Sequence, residues 1–414
     1  MTSLPLFVSK KELLYTLFAI VVLFCFSLSY EFYKYKQVTT YSLHVSTSKI
    51  VNMYNKTTKK GKTYTVYKLK NSDFSFTTVN WTDLHVKIGD ELEVCFFTKN
   101  LTFYKYLKGF YATSKFIHVK SKIKTNALVN FVQNQHENVV TKELYGALFF
   151  ATHMSKNLRD DIAKWGISHL IAISGFHLGI LSSILFFILR PLYSFFQDRY
   201  FPYRNRNADL AFLVFILLGI YAYFLDFSPS VVRAFVMSLV AFFLFSRNIK
   251  IISFATLFFT MSIVLVLFPK LLFSIAFWFS LSGVFYIFLF LHHFSKLNKV
   301  LIFIFIHFWV FVLMLPIVHF VFDIFSFHQL LSPFLSMLFL LFYPLSLVLH
   351  VAHLGEVMDN FLVWFLSLYV ETINLTTPLW FLCSYIVSSL LAIRLRFIAL
   401  LLPLFALSLV LWLT

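Results

Sequence analysis

Acidic residues are scarce: 18 Asp and Glu stand against 35 Lys and Arg in 414 residues. Charged residues of both signs make up only 13%, about half the share found in an ordinary soluble domain. That composition argues against a soluble globular enzyme. Cysteine is nearly missing too. Cys25 and Cys383 fall in apolar runs and Cys95 stands alone in the polar region, so neither a disulfide framework nor a Cys-x-x-Cys metal site can be built there. Catalytic signatures are also missing: there is no Gly-x-Ser-x-Gly, no His-Glu-x-x-His and no histidine–aspartate run of a metallohydrolase. Gly61-Lys62-Thr63 ends like a phosphate-binding loop, but Lys56 occupies the place of its first glycine. These absences point away from an enzyme, with no cofactor and no metal expected.

What is present is apolar. Hydrophobic residues reach 59% and the mean hydropathy is +0.80. Runs of about twenty apolar residues predict a polytopic α-helical membrane protein. The net charge of +17 suggests an anionic partner, either nucleic acid or lipid headgroups. Lysine and arginine in cytoplasmic loops account for part of it. Candidate spans fall at about 13–30, 167–189, 210–225, 229–245, 251–268, 272–291, 300–321, 329–350, 379–393 and 397–413, with a short doubtful segment at 360–370. Loop charges then favour about ten to eleven crossings with a cytoplasmic N-terminus. Arg394 and Arg396 join the other basic loops only if the doubtful segment crosses.

Four regions follow. Residues 1–30 read as a retained transmembrane anchor, because the apolar run follows Lys10 and Lys11 and lacks a small-x-small cleavage site. Residues 31–122 form the one sizeable polar block. Alternating runs at 41–50, 62–70, 73–78, 84–97 and 109–120, with turn signals at Gly61 and Gly89-Asp90, predict a small five-stranded β-barrel outside the cytoplasm, with an OB-fold as the candidate. Residues 123–165 predict amphipathic connecting helices that lie at the interface or pack against the bundle. Residues 166–414 are the transmembrane bundle.

The polar block is basic and aromatic. Lys56, Lys59, Lys60, Lys62, Lys68 and Lys70 interleave with Tyr64 and Tyr67, and Tyr104, Lys105, Tyr106 and Lys108 repeat the theme. Lysines that follow a phosphate backbone, beside rings on which bases stack, suit single-stranded nucleic acid. A solvated lysine-rich barrel with core tyrosines has the same composition.

Two polar constellations interrupt the apolar half. In GISHLIAISGFHLGILSS, Gly175, Gly179 and Ser183 recur at four-residue spacing, the small-xxx-small seam of close helix pairs, with His169, Ser174 and His177 near it. In Asp226-Phe-Ser228-Pro229-Ser230-Val-Val-Arg233, Ser228 and Pro229 read as a helix start. Arg233 then lies one turn into a membrane helix, where it requires a partner such as Asp226, a route to the surface, or a watery path for an anion.

HLIAISGFHLGIL resembles the signature of the ComEC family, the inner-membrane DNA channel of natural transformation. Asp226-Phe-Ser228-Pro229-Ser230-Val-Val-Arg233-Ala234 is similar to the family's Gly-x-Ser-Pro-Ser-x-x-Arg-Ala, with Asp in place of the first Gly. Residues 276–283, AFWFSLSG, resemble a later family segment. The resemblance implies a channel for single-stranded DNA in the inner (cytoplasmic) membrane, with the barrel in the periplasm. His169, Ser174, Gly175, His177, Gly179, Asp226, Ser228, Ser230 and Arg233 become candidates for its lining. It also implies a periplasmic DNA receptor and a cytoplasmic helicase-like ATPase as partners, besides membrane lipids. No metallo-β-lactamase-like HxHxDH motif occurs in these residues, so the expected form is a channel without a nuclease. The alternative is a transporter or flippase for another anion, such as a lipid headgroup.

Overall fold

The structure, a computed structural model, describes residues 4–7, 9–82, 84–121, 127–225 and 229–413. The chain divides into two compact units. One is Ser9–Asn130 with Ser262–Ser274, and the other is Met1–Val8, Phe131–Met261 and Ile275–Thr414.

The first unit opens with α1 (Lys10–Thr39). Its start is a capping box in which the Ser9 hydroxyl accepts from the Glu12 N–H and the Glu12 carboxylate accepts from the Ser9 N–H. Thirty residues make about 45 Å of helix, more than the roughly 30 Å hydrocarbon core of a membrane. The surplus at the C-terminal end packs into the β structure. Val38 is buried there, Tyr35 donates to the Leu101 carbonyl at 2.8 Å, and Lys34 pairs with Asp73 at 2.7 Å. Burial works against charge on Asp73, but the Lys34 hydrogen bond and charge outweigh it and hold the carboxyl below its usual range.

The strands are β1 (Leu43–Thr57), β2 (Thr63–Lys70), β3 (Ser75–Asn80), β4 (Glu91–Phe97), β5 (Phe110–Tyr111) and β6 (Ser114–Ser121), with α2 (Phe103–Lys108) between β4 and β5. They lie in the order β5-β3-β2-β1-β4-β6, antiparallel except for the two-residue β3–β5 pair. The expected closed five-stranded barrel is therefore corrected to an open six-stranded sheet. Where a ladder would close it, a side-chain bond stands instead, from Ser114 Oγ to the Val79 carbonyl at 3.4 Å. The physical reason is the filling. Phe74, Phe76, Phe96 and Phe110 pack with Tyr106 of α2 and Val38 of α1, so helices cover the inner face. Residues Pro269–Phe273 belong to this unit as well: Lys270 pairs with Glu31 at 2.7 Å and lies over the Tyr106 ring at 4.7 Å.

After β6 come α3 (Ala127–Gln133), α4 (Val139–Phe150), α5 (Lys156–Lys164), α6 (Ser168–Ile171), α7 (Gly175–Tyr200), α8 (Arg206–Phe224), α9 (Pro229–Ser246), α10 (Phe254–Leu267), α11 (Ile275–Phe294) and α12 (Lys299–Val318), in the second unit except for residues 127–130 and 262–267. After β7 (Ile324–Phe325) come α13 (Ser332–Val351), α14 (Asp359–Ser367), β8 (Ile373–Asn374), α15 (Leu379–Leu391) and α16 (Arg396–Leu413). Among the described residues six helices are long and apolar enough to cross a membrane, namely α1, α7, α8, α11, α12 and α13 with its preceding turn. Four shorter apolar helices, α9, α10, α15 and α16, complete the set. The chain is thus a polytopic helical membrane protein by length and composition, with fewer full-length spans than the ten or eleven expected.

Residues 123–165 had two expected places, the interface or the bundle. Within their described part, α4 packs inward, while α3 leaves Leu128 and Phe131 exposed. Seven residues of α4, from Thr141 to Phe149, are buried, and Leu144, Tyr145 and Leu148 share a core with Phe339 and Tyr343 of α13. Gly166 ends α5 at φ +68°, and a Cβ there would meet Gln329 side-chain carbons at 3.2 Å. Only glycine supplies both that backbone and that closeness. Its carbonyl accepts from Ser332 Oγ at 3.0 Å.

The doubtful ninth segment becomes α14. Its nine residues reach about 13 Å, too little to cross. Yet β7 and β8 pair, with Ile324 opposite Asn374 and Phe325 opposite Ile373. The chain therefore leaves along α13, turns at 352–358, and returns through α14 and a non-helical stretch to the level it left. At the α15–α16 corner, His293 Nε2 donates to the Ala392 carbonyl at 2.7 Å and Arg396 lies over Phe294 at 5.8 Å. Arg394 and Arg396 thus share one end of the bundle with Lys296.

Candidate functional site

The small seam of α7 lines a groove. Gly175, Gly179, Ser182, Ser183 and Phe186 face Val214 and Leu218 of α8 and Ser238 of α9 around a volume of about 580 Å³, with Arg190 at one end. A Cβ on Gly179 would meet nothing within 4 Å. The seam therefore divides: Gly179 faces open space, while a Cβ on Gly175 would meet the Ala234 Cβ of α9 at 3.8 Å, a close approach of the kind expected. Ser182 and Ser183 both donate to the Gly179 carbonyl, at 2.8 and 2.9 Å, a local bond that keeps their hydroxyls on the helix.

The two histidines beside the seam take different places. Ser174 caps α7, and its N–H donates to His177 Nδ1 at 3.2 Å while its hydroxyl accepts from the Phe176 N–H. Nδ1 is an acceptor in that bond, so the hydrogen of the neutral ring sits on Nε2. Nε2 is buried and has no hydrogen-bond partner among the described residues. The ring stands edge-on to Tyr343 at 4.9 Å. His169, on α6, is exposed and reaches the Gly166 carbonyl and Ser336 Oγ at 3.1 and 3.2 Å. No hydrogen bond joins the two imidazoles among the described residues.

Of the second constellation, Asp226 and Ser228 lie outside the described residues. Ser230 is in the first turn of α9, half-buried. Arg233 is 6% exposed, and its Nε and Nη1 have no hydrogen-bond partner among the described residues. Two unpartnered guanidinium nitrogens at this burial are costly, which makes Arg233 a conspicuous polar group among the described residues.

In the β unit the candidates separate. Lys56, Lys59, Lys60, Lys62, Lys68 and Lys70 are exposed on the β1–β2 hairpin, and Lys105, Lys108 and Tyr104 are exposed on α2. Tyr67 and Tyr106 are each 1% exposed. They are core residues, which corrects their reading as stacking platforms. Tyr64 stays partly open beside a ring not singled out from sequence. Trp81 is 60% exposed, with its centroid 5.2 Å from that of Tyr64. Lys56 lies opposite Tyr64 in the β1–β2 register, and Lys68 is on the same face. The exposed face thus carries two rings flanked by lysines.

Sequence reading also left His136, His350 and Asp359 unconnected. They meet in one buried group: His136 Nδ1 lies 2.9 Å from Asp359 Oδ1, and its Nε2 lies 3.0 Å from Nε2 of His350. More than two hundred residues separate His136 from its partners, so no local spacing could signal them.

A family sequence model described as Competence protein matches residues 150–414. No curated protein and no solved structure matches the chain. The match spans well over half of the 414 residues and takes in both polar constellations and the groove. On this match and the apolar helices, the chain belongs to the ComEC-like competence protein family and has a family-level role in DNA uptake.

Proposed function

We propose that the chain forms the path by which single-stranded DNA crosses the cytoplasmic membrane during natural transformation, acting as a conduit rather than an enzyme. The observation that carries this reading is the competence match over the apolar helices at 150–414. In this reading the N-terminus is cytoplasmic, and the β unit faces the periplasm and receives the strand. A periplasmic DNA receptor delivers the strand and a cytoplasmic helicase-like ATPase draws it in, since no nucleotide-binding motif occurs in the sequence. Arg233 is the group offered to phosphates, since the groove serines donate their hydroxyl hydrogens to helix carbonyls.

The exposed rings and lysines support the receiving role. Base–aromatic stacking is worth about 1–3 kcal/mol per base, so Trp81→Ala is expected to weaken oligonucleotide binding by the purified full-length protein roughly 5- to 150-fold. The salt dependence of affinity should stay as in the wild type. Lys56→Ala should instead flatten that dependence, by a slope of about 0.7 for each phosphate it no longer neutralises. Fluorescence anisotropy across a salt series reads both.

One observation favours a second reading. The α7 groove is mostly apolar, with one arginine at its end, a shape that also suits an amphiphilic anion such as a lipid. Deleting the gene in a transformable host separates the two. The DNA reading expects labelled DNA held outside the cytoplasm, transformants abolished and growth unchanged. Normal transformation with an envelope defect would sink it in favour of lipid transport.

A further inference from the structure

The buried group at the turn between α13 and α14 carries a count of protons. His350 Nδ1 lies 2.6 Å from the Ser346 carbonyl. A carbonyl only accepts, so this nitrogen bears hydrogen. Between His136 Nδ1 and the Asp359 carboxylate, at 2.9 and 3.0 Å, lies a second hydrogen. The 3.0 Å approach of the two Nε2 atoms requires a third, because two bare lone pairs facing each other repel. Two neutral imidazoles and a carboxylate bring only two. The line is complete only with one proton more, shared by the group rather than owned by one ring.

Burial argues the same way. His136, His350 and Asp359 are all buried. With two protons the group carries an uncompensated negative charge away from water. With three it is an imidazolium beside a carboxylate and is neutral overall, the form a low-dielectric site tolerates.

The other described side chains bonded to the group are uncharged. On α4, Thr141 Oγ1 donates toward Asp359 Oδ2 at 3.0 Å, and the Tyr145 ring stacks on His136 at 4.6 Å and stands edge-on to His350 at 4.5 Å. Burial, then the Asp359 charge, push the Tyr145 phenol up, so it stays protonated. Glu137 and Glu356 beside the group are exposed. His353 lies against the Phe131 ring at 4.9 Å. Gly355 permits the approach: a Cβ there would meet Gln135 Oε1 at 2.8 Å and His350 at 2.9 Å. Gln135 in turn donates to the His350 carbonyl at 3.0 Å.

We propose that His136, His350 and Asp359 form a binding site for a single proton, which fastens the α3–α4 junction to the turn between α13 and α14. The site uses residues on both sides of position 150, where the competence match begins, and it does not depend on what the protein transports.

The proton count fixes how fastening varies with pH. When the junction opens, each imidazole titrates near its ordinary value of about 6.5. Above that value the open form holds two protons against three in the closed form, so closure weakens as pH rises. Below it the open form holds four, so closure weakens as pH falls. Protection is therefore greatest near neutrality and drops by up to tenfold per pH unit on either side.

Amide hydrogen exchange on the full-length protein in detergent tests this. Peptides covering 131–145 and 346–360 are followed from pH 5 to pH 10, corrected for intrinsic exchange, with β1–β2 peptides as an internal reference. Wild-type protection should form a bell that the reference lacks. His136→Gln should lose the alkaline limb. Asp359→Asn removes the counter-charge and should move that limb to lower pH, whereas a merely structural role would lower protection without moving it. Flat wild-type protection across this range, or an alkaline limb surviving in His136→Gln, would overturn the proposal. If His136→Gln does not fold, the wild-type profile and the Asp359→Asn shift still decide.

Discussion

Asp359→Ala is expected to cost about 3–5 kcal/mol of stability, the range for breaking a buried ion pair by removing one partner. The carboxylate accepts from His136 Nδ1 and from Thr141 Oγ1. Its loss strands His136 Nδ1 on a fully buried side chain, while Thr141 Oγ1 keeps the Asn138 carbonyl at 3.0 Å. The cost is large because the His136 donor loses both carboxylate oxygens at a site with little access to water. Thermal melting in detergent measures it against Lys164→Ala, which breaks a half-buried i,i+3 pair within one helix and should cost about 1 kcal/mol or less. Equal losses in the two variants would remove Asp359 from the structural account.

Arg233→Met is expected to separate stability from function. Methionine keeps roughly the volume of arginine and removes a buried guanidinium whose Nε and Nη1 find no partner among the described residues. Arginine at membrane depth is disfavoured by at least about 2.5 kcal/mol on insertion scales, so the variant should melt at a higher temperature. Transformation should fall about 100-fold, the factor that loss of one charged hydrogen bond of about 2.7 kcal/mol produces. The two readouts must diverge. A lower melting temperature would mean that Arg233 has a charged partner and serves the fold. Unchanged transformation would remove it from the transport path.

The β unit was largely legible because strand periodicity is local. The run Lys62–Lys70 appears as β2, and β1, β2 and β3 pair as hairpins between neighbours, whereas β4, β5 and β6 join the sheet through non-consecutive pairs. Closure was not legible, since whether β6 meets β3 depends on what fills the space between them. The tyrosines show a subtler limit. In KTYTVYKLK, Tyr64 and Tyr67 differ by an odd number of positions, so they face opposite sides of the sheet. The period was in the sequence, but the lysine-rich composition of the run masks it. Trp81 needed the register of β3 on β2 before it could be placed beside Tyr64. In the apolar half, the spacing of Gly175 and Gly179 marked a real helix face. Whether that face packs or stays open depends on α8 and α9, and no pattern within α7 encodes that. The buried proton-holding group lay beyond sequence reading because its three members come from three distant segments.

The β7–β8 pair has a mechanical consequence. It ties the start and finish of the α13–α14 excursion by backbone bonds and by the Phe325–Leu375 contact, neither of which titrates. The other end, about 27 Å away along α13, is held by side chains. Between the two ends Phe339 and Tyr343 hold α13 in the core it shares with α4, so the strand pair acts as a pivot only for what lies beyond that core. A swing of about 5° at the strand pair would carry the His350 end through roughly 2–3 Å over that length, enough to break every bond that holds it.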